Sequence, residues 1–297
     1  MAENGDGPIK NRLLALLPDV GDRPMTDASK YQFTNLSGPK AYDEFFVPTL
    51  FRPWAKLLLD NVNLQPGEAV LDVATGPGTV ARLAAVRLGS QGHVVATDIA
   101  LPMLDIARAK PEVAGAAKIE YVESPAAPLA AASGTFDAVL CQQGIQFFPD
   151  RRAALREMHR ILKPNGRAAI AVWAELERNP IAAAFHAALS ATAPAELASA
   201  MMAPYGWPNG TALKGAAEEA GFRDIRLLIP SLPMVLEGGL DQAIRMFSAT
   251  PVWPSVAALP PDVQEAFLAR LRRELAPLES DGKVISETTS NIIIANH

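Results

Sequence analysis

The stretch VLDVATGPGTVA at residues 70–81, followed by VVATD at residues 94–98, decides how this chain folds. Residues 69–73 form a short apolar run broken only by Asp72, which predicts a buried strand. The run ends in Ala74, Thr75, Gly76, Pro77 and Gly78, small residues that let a ligand approach the backbone closely. Val80, Leu83, Ala84 and Leu88 then recur at helical spacing, with Arg82 and Arg87 on the outer face and Gly89 at the C-cap position. A second strand ends at Asp98. Strand, glycine loop, helix, strand and terminal acid together describe an adenosine-cofactor site at the carboxyl edge of a parallel sheet.

Two cofactor classes share this pattern. Gly76, Gly78 and Ala81 satisfy a G-x-G-x-x-[GA] spacing, and Asp98 stands twenty residues beyond Gly78, so an NAD(P)-dependent oxidoreductase is one reading. That reading calls for a hydride-transfer set such as Tyr-x-x-x-Lys, which the sequence lacks. Asp72, four residues before Gly76, favours the other class.

On LDVATGPG and this acid, the chain resembles class I S-adenosylmethionine-dependent methyltransferases, in particular the ubiquinone and menaquinone biosynthesis C-methyltransferases (methyltransferase type 11). Further matches follow in family order: Met103 and Leu104 for a Met-Leu pair beside the adenine, FDAVLC at residues 136–141, and a helix capped by Asp150 with Ala154, Leu155, Met158, Ile161 and Leu162 inside. That helix is expected to end at residues 163–166, with a fifth strand at residues 167–172. The resemblance implies an α/β fold: a Rossmann-like, seven-stranded, mostly parallel sheet with helices on both faces and a helical lid. It divides the chain into an N-terminal arm or flap (1–41), a cofactor-binding core (42–174), and lid insertions with the last core helix and strands (175–297).

The same resemblance implies S-adenosylmethionine as cofactor, S-adenosylhomocysteine as product, and a binding shell of Asp72, Ala74, Thr75, Gly76, Gly78, Asp98, Ile99, Met103, Ser124 and Gln142. Asp98 is placed for the ribose hydroxyls and the loop N–H groups for the amino-acid moiety; Asp72 either meets the ammonium or props the loop. At the adenine end the family's Gly-Asp-Ala is replaced by Glu123, Ser124 and Pro125, so either Ser124 or Glu123 takes the base.

Beyond the fourth strand come Gln142, Gln143, Gly144, Ile145, Gln146, Phe147 and Phe148, in place of the [DN]-P-P-[YFW] of enzymes that methylate nucleobase or amide nitrogens. Gln142 and Gln143 are candidates to bond an acceptor carbonyl or carboxylate. Residues 42–64 carry Phe45, Phe46, Leu50, Phe51, Trp54 and Leu58 at mixed helical spacing, a cap over the pocket or packing on the sheet. Two excess segments, at residues 179–210 and between a sixth strand (225–228) and a final one (291–295), are expected to cover an apolar acceptor pocket. Its candidate wall is Tyr42, Phe46, Gln143, Gln146, Phe147, His186 and Trp207. The catalytic candidates are His186, Gln142 and Gln143, because His is the usual base for a phenol or enol and methyl transfer needs alignment more than a base.

Composition bounds the rest. A net charge of −5 without a basic stripe argues against a nucleic-acid partner. The single cysteine, Cys141, excludes an internal disulfide and reads as a small core residue. No apolar run reaches the roughly 18 residues of a membrane span, no secretory signal is visible, and no His, Cys or acid spacing suits a metal. A cytoplasmic enzyme acting on a small, fairly apolar molecule (a quinone precursor, polyketide, terpenoid or carboxylic acid) is expected. Exposed aromatics near Trp54 or Trp253 would serve a homodimer interface, and a protein that keeps the cofactor pocket without transferring methyl groups would carry the same cofactor residues.

Overall fold

The computed structural model describes residues 37–207 and 209–297. Most of the expected N-terminal arm therefore lies outside the described residues. Helix α1 (Ser37–Ala41) leads into a π-helix (Tyr42–Phe51) and then α2 (Arg52–Val62). The wider π turn accounts for the mixed spacing of the aromatics: the Arg52 N–H bonds the Val47 carbonyl five residues back. The rings of Tyr42 and Phe51 consequently stack at 4.8 Å, with Phe46 against both.

Strands β1 (Ala69–Val73), β2 (His93–Asp98), β3 (Lys118–Glu123), β4 (Phe136–Gln142) and β5 (Leu162–Trp173) pair in parallel in the order β3-β2-β1-β4-β5. Their alternation sorts side chains into two layers. Val70, Ala138, Leu140, Ala169 and Ala171 face α2 and α3 (Thr79–Leu88), whereas Leu71, Val139, Cys141, Ile170 and Val172 face α5 (Arg151–Arg160) and α8 (Gly210–Glu219). Three of the five named residues in the first layer are alanine. That leaves room for Trp54, which is 1% exposed, donates its indole N–H to Thr288 at 2.9 Å and meets Trp173 edge to face.

Asp150 caps α5 by accepting the Ala153 N–H at 2.8 Å. The helix stops sooner than expected, because the Ile161 carbonyl is taken by the Thr135 and Phe136 N–H groups and draws Leu162 into the sheet. Residues 163–166 bulge between the Phe136–Leu162 and Ala138–Arg167 pairs, where Lys163 grips Asp137 at 2.8 Å.

The sheet is completed by β9 (Lys283–Asn296), antiparallel to both β5 and β6 (Arg223–Leu228). Seven strands form this path as expected, but the sheet holds nine. The final strand is 14 residues long: its C-terminal half pairs with β5 and β6, and its N-terminal half continues outward to pair with β7 (Ser231–Leu236) and the short β8 (Glu279–Ser280). Helix α4 (Leu101–Ala109) lies between β2 and β3 in the chain. In the two excess segments α6 (Pro180–Thr192) and α9 (Gly239–Phe247) pack on β9, α7 (Ala195–Met201) packs on α6, and α11 (Pro261–Leu275) packs on α6 and α9; the short α10 (Trp253–Ala257) lies between α9 and α11 in the chain. Phe185 joins the two excess segments, stacking on Phe247 at 3.9 Å and meeting Phe267 edge-on at 5.6 Å. The aromatics expected at a dimer surface are occupied internally, Trp54 buried and Trp253 packed on the same core. Among the described residues no helix is long and apolar enough to cross a membrane.

Replacing Trp54 with Ala removes a buried ring and leaves Thr288 without its donor, so a loss of about 3–5 kcal/mol is expected in urea unfolding.

Candidate functional site

The site is assembled at the carboxyl ends of β1 and β4, where the strand order reverses direction. Asp72 is buried, and its Oδ2 accepts the Thr75 hydroxyl at 2.6 Å and the Ala81 N–H at 3.0 Å, tying the loop to the first turn of α3. Of its two readings, propping the loop is the one with visible bonds. Ala74, Gly76 and Gly78 all take the left-handed conformation this tight loop needs. A Cβ on Gly78 would come within 3.0 Å of the Tyr121 hydroxyl, while one on Gly76 would stand in open space.

Asp98 closes the loop from β2. Its Oδ2 accepts the Gly76 N–H at 2.8 Å and its Oδ1 the Ala100 N–H at 2.9 Å. The Thr75 and Gly78 N–H groups bond the Thr97 and Thr75 carbonyls. The expectation that loop N–H groups are offered to the cofactor's amino-acid moiety is therefore corrected for Thr75, Gly76 and Gly78, whose donors are committed to holding the turn.

Burial dominates the electrostatics. Desolvation raises the Asp72 carboxyl from 3.8 to about 7, against the two hydrogen bonds that favour its charge, and it also raises Asp98 despite its backbone donors. Cys141 is raised to about 12 by the same cause, as befits an inert core thiol.

A cavity of about 590 Å³ runs from this loop under the lid. Ala74, Gly76, Asp98, Ile99, Met103, Ser124 and Gln142 line it, together with Tyr42, Phe46, Gln143 and Phe147. Asp72, Thr75 and Gly78 lie outside the wall and shape it from behind. At the far end stand Trp173, Met201, Tyr205, Met234, Met246, Phe247 and Thr288 from β5, the lid and β9. Ser124 is buried and Glu123 exposed, which leaves Ser124 as the adenine-end candidate. The roof is latched to the loop by Lys110, whose Nζ donates to Asp43 of the π-helix at 2.6 Å and to the Pro77 carbonyl at 2.7 Å.

Three expected wall residues are corrected. His186 sits on α6 away from the cavity, because that helix turns Ile181 and Ala182 to the wall and Phe185 to the core. Trp207 covers Arg151, 5.4 Å from ring centre to guanidinium, and Gln146 is buried outside the wall. Gln142 and Gln143 do line the cavity, but with anchored amides: Gln142 donates to the Phe51 carbonyl at 3.0 Å and Gln143 to Ser290 at 2.9 Å. Ser290 in turn donates to the Val172 carbonyl, so it can only accept from Gln143. Tyr205 lies within the expected covering segment at residues 179–210 but is not among the expected wall residues, and Met234, Met246 and Thr288 carry no signal of their own in the sequence; the polar run at residues 286–291 within a strand is the one pattern that could have pointed to that region. Among the described residues no cluster of His, Cys, Asp and Glu could hold a metal.

The chain matches the ubiE/COQ5 methyltransferase family over residues 43–226. Nocamycin O-methyltransferase from Saccharothrix syringae is 31% identical over 79% of this chain and 87% of its own length. The ubiquinone/menaquinone biosynthesis C-methyltransferase UbiE of Xanthomonas campestris is 35% identical over 43% of this chain, and the match spans about half of that relative, 51%. Among solved structures, Haemonchus contortus phosphoethanolamine N-methyltransferase 2 in complex with S-adenosyl-L-methionine shares the fold, with a TM-score of 0.58 at 18% identity over 93% of this chain and 60% of that one. The fold and site define a class I, S-adenosylmethionine-dependent methyltransferase architecture. The chain belongs to the ubiE/COQ5 methyltransferase family, which sets aside the oxidoreductase reading of the glycine spacing.

A raised carboxyl pKa means the folded state binds the proton more tightly than the unfolded chain. The stability Asp72 contributes is therefore fully present below about pH 4 and is lost as pH rises through about 7. In urea unfolding of cofactor-free protein, wild type should lose on the order of 3–4 kcal/mol relative to Asp72→Asn between pH 4 and pH 8. A pH-independent difference would show that Asp72 does not titrate in this range.

Proposed function

We propose that this protein transfers the methyl group of S-adenosylmethionine to a small, largely apolar acceptor held under the lid. The observation that carries the reading is the continuity of one cavity from Asp98 and Gly76 to the apolar lid side chains. The residues fit the cofactor. Gly76 leaves open space where any other residue would place a Cβ, and Asp98 keeps lone pairs on both oxygens for the ribose hydroxyls after accepting two backbone N–H groups. Ile99 and Met103 offer apolar surface to the adenine and Ser124 a hydroxyl beside it; Gln142 stands between cofactor and roof.

When bound, the cofactor supplies an electrophilic methyl whose carbon–sulfur bond breaks, its electron pair leaving on sulfur, as the acceptor atom forms its own bond to the carbon. The protein's part is then to align and to keep water out. Trp173, Met201, Met234, Met246 and Phe247 supply the apolar enclosure, and Lys110 latches the roof down over it. Quinone precursors, polyketides, terpenoids and carboxylic acids fit such a wall. Kinship leaves the acceptor atom open, since one relative is named for O-methylation and another for C-methylation.

Calorimetric titration tests this. S-adenosylmethionine and S-adenosylhomocysteine are expected to bind and NADH not to, with a loss of about a hundredfold or more in Asp98→Ala, since two hydrogen bonds to a charged oxygen contribute about 1.5–3 kcal/mol each. Binding of NADH alone would overturn the proposal. Binding without S-adenosylhomocysteine formation across an acceptor panel would instead support a cofactor-binding protein that transfers no methyl group.

A further inference from the structure

Most polar groups in the cavity wall already have their bonds inside the protein. Asn179 donates to the Glu175 carbonyl and accepts the Thr289 N–H; Ser124 donates to the Pro125 carbonyl; Thr288 accepts from Trp54; and the Gln142 and Gln143 nitrogens are anchored, although their amide oxygens stand unpaired as acceptors. Tyr205 differs in having no side-chain bond at all. It is 8% exposed and lines the cavity, and its hydroxyl forms no hydrogen bond among the described residues.

This hydroxyl is held in place. Tyr205 ends a single 3-10 turn (Ala203–Tyr205), and the next residue, Gly206, is gripped through its carbonyl by Arg151 at 2.9 Å. The same guanidinium bonds the Gln146 carbonyl at 2.7 Å and lies over Trp207. Arg151 thus ties the turn carrying Tyr205 to the segment that follows β4 at the reacting end of the site. Burial pushes the phenol above its ordinary range, so it remains a donor at neutral pH. A ligand entering this apolar wall displaces water from the hydroxyl, and an unpaired donor would then oppose binding.

We propose that Tyr205 is an acceptor-binding residue whose hydroxyl donates a hydrogen bond to a carbonyl-type oxygen, ketone or enolate, of the methyl acceptor. The inference rests on reading the cavity as a methyl-acceptor site and adds the chemical feature that site selects. An acceptor with an oxygen at this position satisfies the donor, and one with a methylene there strands it.

The test uses 2-acetylnaphthalene and 2-isopropenylnaphthalene, matched in shape and differing by oxygen for methylene. Each is titrated into the full-length protein, with and without saturating S-adenosylhomocysteine. Wild type should bind the ketone about tenfold more tightly, and Tyr205→Phe should reduce that preference to twofold or less. Affinity for S-adenosylhomocysteine should change by less than twofold, which reports that the variant is folded. Equal affinities in wild type, no binding of the ketone, a preference surviving Tyr205→Phe, or one abolished only by Thr288→Val would each overturn the inference. Failure to bind S-adenosylhomocysteine at all overturns the methyltransferase reading and this inference with it; cofactor binding without a ketone preference overturns this inference alone.

Discussion

One oxygen of a buried carboxylate shapes the loop on which the site depends. Asp72 Oδ2 receives both the Thr75 hydroxyl and the Ala81 N–H, so the chain leaving β1 must turn at once into α3. That turn is tight enough to put Ala74, Gly76 and Gly78 in the left-handed region. It also brings the Gly76 N–H to Asp98 on the neighbouring strand. A buried acid and a half-buried one thereby stand on neighbouring strands; desolvation makes each harder to ionise, and the Asp98 charge adds to the effect on Asp72. Ionisation of Asp72 therefore opposes the folding of the empty protein, while a cationic ligand would favour it.

Around this polar point the protein is built to be dry. The alanine-rich layer of the sheet admits α2 and its Trp54, and Trp54 ties the core beneath the lid to β9 through Thr288. The extension of β9 beyond the sheet then gives both excess segments a common floor, and Phe185 and Phe247 stack across them. Enclosure strengthens every electrostatic interaction within and removes competing water. It also raises the cost of any polar wall group without a partner, which is why most of them bond inward. The Tyr205 hydroxyl, on the one side chain of this group with no bond among the described residues, therefore stands out beside the unpaired oxygens of Gln142 and Gln143.

Much of this was legible along the chain. The strand–loop–helix unit at residues 69–88, the acid at residue 98, the Asp150 cap and the small-residue strands depend on neighbours within a few positions, and local patterning specifies them directly. Tyr42, Phe46, Gln143 and Phe147 line the cavity because they lie in segments that the sheet order brings to the carboxyl ends of β1 and β4. The His186 and Trp207 expectations failed because lying within a lid segment does not determine which face of a helix or turn looks inward. Helix α6 spends its inner face on Phe185 and the wall, and the 3-10 turn presents Tyr205 rather than Trp207.

The sequence by itself determined the class of fold, the glycine loop after β1 and the acids of the two strands beside it, because those features are set by local conformational preference and by the periodicity of apolar residues. Only the tertiary structure decided that β9 would run on to join β7, that the loop N–H groups would be consumed by the turn, and that the Gln142 and Gln143 amides would be anchored. It alone left Tyr205 with a hydroxyl to offer. Each of these depends on pairing across long stretches of chain, such as Trp54 with Thr288 or Gln143 with Ser290. Such pairings are selected by the simultaneous satisfaction of buried polar groups and core packing, and no local pattern encodes them.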